Sequence, residues 1–299
     1  MRSAARWWAA GLVIAALGAL GALGGCGGKP AARPRHDGGD AGPVAGQARD
    51  AAAAPGPVTP DGAAAPYRLA ALGADDVVVG GGTVAVTVIW PDAPPAVRVS
   101  PGVTTCATPR PPRATIGALH GVAGAVVIIE GVAAGKRPPP AAPARLTVRD
   151  CAIAPRIAIQ PRIGATLEVQ AQDDVDRAIA IAELGLAWTD ASGATGASGA
   201  TRARLAGWGH TVSLPLAAAG VRRIEADGVA DPAHVVVTDQ PYAAVTGDDG
   251  AVALDQVPAG THAVVAWLPP AADQPAQVAR GQVTVVAGDK VDITLRLGS

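Results

Sequence analysis

The sequence predicts an all-β chain of two antiparallel β-sandwich domains behind an export signal and a linker. Three observations carry this expectation. Short apolar runs alternate strictly, as in Thr83–Trp90 (TVAVTVIW), where Val84, Val86, Val88 and Trp90 share one face. Turn residues are abundant, with 38 Gly and 27 Pro among 299 residues. No stretch of the folded part repeats its apolar residues at convincing helical spacing.

The chain opens with Arg2 and Arg6, the apolar run Trp7–Leu23, and then Gly24-Gly25-Cys26. A charged start, a short apolar middle and small residues before a cut describe an export signal over residues 1–25. A membrane-spanning helix is the alternative. At about 17 residues the run sits at the lower limit for crossing roughly 30 Å of hydrocarbon, and its glycines weaken a helix. Leu23-Gly24-Gly25-Cys26 resembles a bacterial lipobox, which implies cleavage before Cys26 and a lipid on its sulfur. Several acyl chains on one residue hold a protein durably at a bilayer, where one chain does not. By the same resemblance, Gly27 after the cysteine favours the outer membrane, with the protein facing the periplasm or the cell surface.

Residues 26–66 follow as a tether rich in Gly, Pro and Ala, with nothing larger and apolar than Val44 and Val58. Such a segment cannot bury enough surface to offset its chain entropy and is expected to be disordered. As a flexible chain it reaches about 35 Å root-mean-square. The net charge is −1, and residues 1–25 carry two arginines and no acid, so export leaves the protein more acidic. No basic surplus therefore argues for nucleic acid, and no nucleic-acid partner is expected.

The first globular domain is expected over residues 67–239. Ala125–Val132 is apolar on both faces and reads as a central strand, and Thr166–Gln172 alternates. Arg177–Trp188, Val212–Leu216, Val221–Ala226 and Ala233–Thr238 follow at turn-separated intervals, with Asp190–Ala200 (DASGATGASGA) as a low-complexity loop. The chain has no Phe and one Met, Met1, so its cores must be built from Val, Ile, Leu, Ala and Trp.

Residues 240–299 form the second expected domain. Tyr242–Val245 and Ala251–Leu254 flank Thr246-Gly247-Asp248-Asp249-Gly250, whose residue types suit a hairpin turn. Val257-Pro258-Ala259-Gly260 then turns the chain into Thr261–Leu268, and the expectation is a small meander. Val278–Val286 and Lys290–Leu297 close the sheet, with Val291, Ile293, Leu295 and Leu297 facing inward. A well-patterned last strand implies a complete chain. This stretch resembles the carboxypeptidase regulatory-like (transthyretin-like) domain, an accessory β-sandwich that does not cut peptides.

A wider resemblance covers about Gly82 to Leu297. The order Gly82-Thr83-Val84, Cys106, Gly124–Val127, Asp150–Pro155, Gln172-Asp173-Asp174 and Pro241-Tyr242 is similar to cupredoxin-like, methylamine-utilisation-type periplasmic proteins. Such relatives hold copper with histidines and a Cys-x-x-His-Pro-x-Met run. Here the histidine positions fall near Ala178 and Ile181, and the second run is Ile224–Asp231, without Cys, His or Met. A blue-copper centre needs a thiolate, two imidazoles and usually a weak axial ligand. The resemblance therefore implies a degenerate domain with no metal and no cofactor.

Cys106 and Cys151 are the only thiols besides Cys26, and an even pair in an exported protein reads as a disulfide. It closes a loop of about 45 residues, with an upper bound of ~4 kcal/mol from chain entropy. A thiolate ligand or reactive Cys is the alternative. His120, His210, His234 and His262 occur singly, which favours ordinary strand or loop positions over a metal site assembled from distant residues. Asp173, Asp174 and Asp176 form the densest acidic cluster and read as turn-forming carboxylates, with calcium as the alternative. Trp90, Trp188, Trp208 and Trp267 are expected mostly in the core, with a sugar-stacking platform as the rival reading. Trp188, Trp208, His210 and His234 are the candidate ligand contacts.

No Walker loop, H-E-x-x-H, G-x-S-x-G or G-x-G-x-x-G occurs, so no catalytic residue is assigned. The expectation is a non-enzymatic, lipid-anchored envelope protein that binds a protein, peptidoglycan or another glycan. A copper protein with a rearranged site and a carbohydrate-binding module are the alternatives.

Overall fold

The structure is a computed structural model that describes residues 66–73, 77–100, 113–186, 188, 198–270 and 275–298. The expected signal segment, Cys26, the tether up to residue 65 and Cys106 lie outside the described residues, as does most of Asp190–Ala200. The last residues of that expected loop instead open a strand.

In chain order the first elements are β1 (Arg68–Leu69), β2 (Gly81–Ile89), one helical turn α1 (Pro95–Arg98), β3 (Val99–Ser100), β4 (Arg113–Ala114), β5 (Val126–Glu130) and β6 (Ala134–Gly135). Next come β7 (Ala144–Arg149), β8 (Ala152–Ala154), β9 (Ile157–Gln160), β10 (Thr166–Ala171), β11 (Asp176–Glu183), β12 (Ser198–Ala206), β13 (Thr211–Pro215), β14 (Gly220–Ala226) and β15 (Ala233–Val237). The chain closes with β16 (Ala243–Val245), β17 (Ala251–Pro258), β18 (Gly260–Leu268), β19 (Gln277–Val285) and β20 (Lys290–Arg296). The all-β expectation holds.

Four sheets carry the fold, ordered β17-β2-β20, β16-β5-β18-β19, β12-β11-β14-β15-β9 and β13-β10-β7-β8. Three apolar cores stack them in that sequence. Val84, Val86 and Leu295 from the first sheet meet Val127, Ile129 and Val264 from the second. Val126, Ile128, Val265 and Trp267, on the other face of the second sheet, meet Val221 and Val236 of the third. Ile179, Ile224 and Val235 of the third meet Leu146, Leu167 and Val169 of the fourth. The first two sheets make one sandwich, the last two another, and the middle core is a seam between them. Alternating strands such as β2 need burial on one face only, whereas β5 (VVIIE) is buried on both because it lies inside the stack.

Division between the sandwiches differs from the expected boundary at 239/240. β2 pairs antiparallel with β17 and parallel with β20, and β5 pairs with β16 and β18. Strands from before residue 132 thus complete the sandwich of β16–β20, while β7–β15 form the other. The physical reason is that β2 lies between β17 and β20, and β5 between β16 and β18, so strands from residues 240–299 alone would leave a gap of unpaired backbone in each sheet.

The expected meander is also replaced. β16 and β17 lie in different sheets, although the turn chemistry between them is as read: Asp249 Oδ1 accepts from the Ala251 N–H at 3.0 Å. Thr246 redirects the chain. Its hydroxyl donates to Val122 O at 2.6 Å and accepts from Ala125 N at 2.9 Å, tying the end of β16 to the segment before β5. In the last strand, Leu295 and Leu297 are buried and Lys290, Asp292, Thr294 and Arg296 exposed, as the alternation indicates.

Gly250 marks where the crossing chain presses on β2. It has φ 79°, and a Cβ there would stand 2.5 Å from both Val88 O and Val122 N. Gly131 has a similar φ of 74° with nothing within 4 Å. Gly131→Ala is therefore expected to cost about 1 kcal/mol of backbone strain, and Gly250→Ala at least ~2 kcal/mol more, from steric displacement. Urea unfolding of the two variants measures the difference, and equal losses would remove the close approach from this account.

Candidate functional site

A cleft of about 420 Å³ opens where the two sandwiches join. Both chain crossings between them line it: Gly131–Ala133, which leaves β5, and Thr238–Gln240, which follows β15. Ile128 and Val132 give it apolar walls, Tyr67 and Trp188 give it two aromatic rings, and Glu130 and Asp239 give it two carboxylates.

Each wall is braced from behind. Thr238 N donates to Gln160 O at 2.9 Å, and the Thr238 hydroxyl donates to Gln240 O at 2.7 Å. The Gln240 amide donates through Nε2 to Ile129 O at 2.8 Å and accepts through Oε1 from Tyr242 N at 2.7 Å. Gln240 is buried, so its polar atoms need partners, and strand ends in both sandwiches are pinned by satisfying them. Asp239, between these residues, points outward and makes no ion pair or hydrogen bond among the described residues.

Tyr67 is held through a relay. Its hydroxyl donates to Lys136 O at 2.6 Å, Lys136 N donates to the Tyr242 hydroxyl at 2.8 Å, and that hydroxyl donates to Gln256 O at 2.8 Å. Burial pushes both phenol pKa values up, with the neighbouring Tyr242 adding to the effect on Tyr67. The Lys136 ammonium is 5.1 Å from the Tyr242 ring centroid and donates to Asp255 O at 3.0 Å; burial pulls its pKa down. On the other wall, Arg280 donates to the Trp188 backbone O at 2.7 Å and to Glu130 Oε2 at 3.1 Å, joining the main chain at Trp188 to the carboxylate.

The four candidate ligand contacts do not converge. Trp188 lines the cleft. Trp208 is 67% exposed and sits with His210 in the turn between β12 and β13. His234 is fully buried in the seam, its ring edge-on to Trp267 with centroids 5.7 Å apart. Among the described residues neither ring nitrogen of His234 has a hydrogen-bond partner, nor does Trp267 Nε1. Burial, reinforced by the charges of Arg156 and Arg223, pulls the His234 pKa down to about 3. Trp90 and Trp267 are core residues, as expected, so three of the four tryptophans of the folded part are buried.

Asp173 supports the turn-forming reading of the acidic cluster. It accepts from Asp150 N at 3.0 Å and Val175 N at 3.3 Å and pairs with Arg177, which is only 4% exposed. The Arg177 hydrogen bond is the main reason its carboxyl sits below the usual range. Asp176 pairs with Arg204. Among the described residues no group of three His, Cys, Asp or Glu is placed to hold a metal ion. Cys151 is buried and disulfide-bonded, in the two-residue turn between β7 and β8 where it and Asp150 both have positive φ. Its expected partner Cys106 lies outside the described residues.

Ala178, with Arg223, Glu225 and Asp227, lines a second hollow of about 400 Å³ on the five-stranded sheet, while Ile181 faces the opposite core. The positions that the resemblance assigned to metal ligands are therefore split between two faces. Sequence reading missed Tyr67, Glu130, Asp239 and Gln240. Gln240 stood beside a quoted Pro-Tyr pair, but nothing local shows that residues 130 and 239 meet. A comparison of the chain with protein families, characterised proteins and solved structures finds no match.

His234 makes a pH prediction. Its folded pKa lies below the unfolded value of about 6.5, so its contribution is whole above pH 6.5 and shrinks as pH falls towards about 3. The slope approaches ~1.4 kcal/mol per pH unit. Asp173, also depressed, adds a loss only at lower pH, below the unfolded carboxylate value of about 3.9. Urea unfolding from pH 7 to 4.5 should show the decline in the native chain and a flatter profile in His234→Leu. Identical profiles would remove His234 as its source.

Proposed function

We infer that this chain is a lipid-anchored cell-envelope protein whose folded part binds a ligand without transforming it. The observation that carries the reading is the braced cleft at the junction. The groups around it are committed to hydrogen bonds that hold its shape, and Asp239 is left over. The two hydroxyls among its described lining residues are both donated to backbone carbonyls, Thr238 to Gln240 O and Tyr67 to Lys136 O, which suits a binding role better than a nucleophilic one.

Cys26, in its lipobox-like setting, is the anchor, and residues 26–66 are the tether that holds the fold off an outer membrane. Envelope proteins, peptidoglycan and other glycans are the partners within reach. The Cys106–Cys151 pairing belongs to this reading, supported by the sulfur bond at Cys151 and by an exported address. So does the modular interpretation: a regulatory-like sandwich completed by β2 and β5, and a cupredoxin-like unit in which aliphatic and acidic side chains replace the metal ligands. Among the described residues no helix is long and apolar enough to cross a membrane.

Three measurements test the reading. Metabolic labelling with an alkynyl fatty acid is expected to mark the chain and to be abolished by Cys26→Ser; persistent label would place the lipid elsewhere. Non-reducing peptide mapping should join the Cys106 and Cys151 peptides, and two free thiols would sink that pairing. In cells, a photocrosslinker replacing Leu186, 43% exposed at the cleft, should trap an envelope component that one replacing Val79, 65% exposed and outside the lining, does not. Equal yields, or none at either, would count against the cleft.

A further inference from the structure

The geometry points to an organic cation as the ligand of the junction cleft: an ammonium or guanidinium group carried on an apolar body. This rests on the reading of that cleft as a binding site and names the chemistry it would select.

Charge is the first ground. Two carboxylates, Glu130 and Asp239, line the cleft, and no basic side chain lines it among the described residues. Arg280, outside the lining, is bound to Glu130 Oε2 and to the Trp188 backbone O. Asp239 has no such partner among the described residues. The hollow on the five-stranded sheet provides the contrast, because Arg202 and Arg223 there stand with Glu225 and Asp227 and give no sign preference.

Shape and surface are the second ground. About 420 Å³ lies in the range of small-molecule sites, which are mostly apolar with a few placed polar groups. Here the apolar part includes Ile128, Val132 and Leu186, and the polar groups other than the carboxylates are spent on the fold. Tyr67 and Trp188 are two of the few aromatic residues in a chain without Phe, and both rings line this cleft. Aromatic faces beside carboxylates attract a cation through the ring quadrupole as well as through charge, and more strongly as water is excluded. The same chemistry operates next to the cleft, where Lys136 stands over Tyr242.

Bracing is the third ground. Tyr67 is fixed by its hydroxyl through Lys136 and Tyr242, and the Trp188 backbone by Arg280, which reduces the ordering left for binding. Asp239 sits between Thr238 and Gln240, both anchored, and is therefore presented from a fixed backbone.

Calorimetry on the full-length chain in detergent, with three probes of one body, tests this: 4-phenylbutylamine, 4-phenyl-1-butanol and 4-phenylbutyrate. The amine is expected to bind about tenfold tighter than the alcohol, and the carboxylate more weakly than either. Asp239→Asn should remove most of the amine's advantage, while Asp292→Asn, exposed on β20, should leave it intact. Since the Asp239 side chain bonds to nothing among the described residues, its replacement is expected to leave unfolding unchanged, which a thermal melt checks. Amine and alcohol binding equally, or an unchanged amine affinity in Asp239→Asn, would overturn cation recognition while leaving a binding cleft. Failure of all three probes at millimolar concentration would overturn both the cation and the cleft.

Discussion

Trp267, Val265, Val126 and Ile128 on one inner sheet pack against Val221, Val236 and Trp188 from the other side, and this apolar seam joins two sandwiches into one compact unit. Burying a Val or Ile side chain contributes about 1.5–3 kcal/mol, so a layer of such residues is a strong reason for the inner sheets to stay together. It also dictates composition. Strands of the two inner sheets must be apolar on both faces near the seam, as β5 and β15 are, while the outer sheets can alternate with solvent.

A seam between curved sheets is not filled everywhere, and the cleft lies where the chain crosses it twice. Backbone crossing between packed layers brings polar groups into places short of water, and each must find a partner. Thr238, Gln240, Tyr242 and Thr246 provide those partners, joining strand ends that lie far apart in the chain. Gly135 belongs to the same network, since a Cβ there would stand only 2.1 Å from the Tyr242 hydroxyl oxygen. The hydrogen bonds that allow the crossing also shape the cleft. His234 is the exception inside the seam: a buried imidazole without hydrogen-bond partners among the described residues, tolerated in its neutral form.

Much of the secondary structure was legible from periodicity. β2, β10, β11, β14, β15, β18 and β20 fall within a few residues of the apolar runs that announce them. β7 was missed although ARLTVR alternates, and β9 was missed because four residues following a proline carry too little pattern. The site was much less legible. Glu130 reads as the end of a strand and Asp239 as a turn residue, and only the fold places both at one opening. Of the four candidate ligand contacts, Trp188 lines the cleft, but Trp208, His210 and His234 lie elsewhere, because residue type says nothing about convergence.

The sequence by itself determined the all-β character, the inward face of the last strand and the turn chemistry around Asp249. These depend on neighbours within a few positions, where side-chain alternation and backbone preference act directly. Only the tertiary structure decided which strands pair. β16 and β17 parted into different sheets, β20 came to lie parallel to β2, and the two sandwiches divided away from residue 240. Pairing is a competition for buried area among strands of similar apolar content, and its outcome depends on every other strand present.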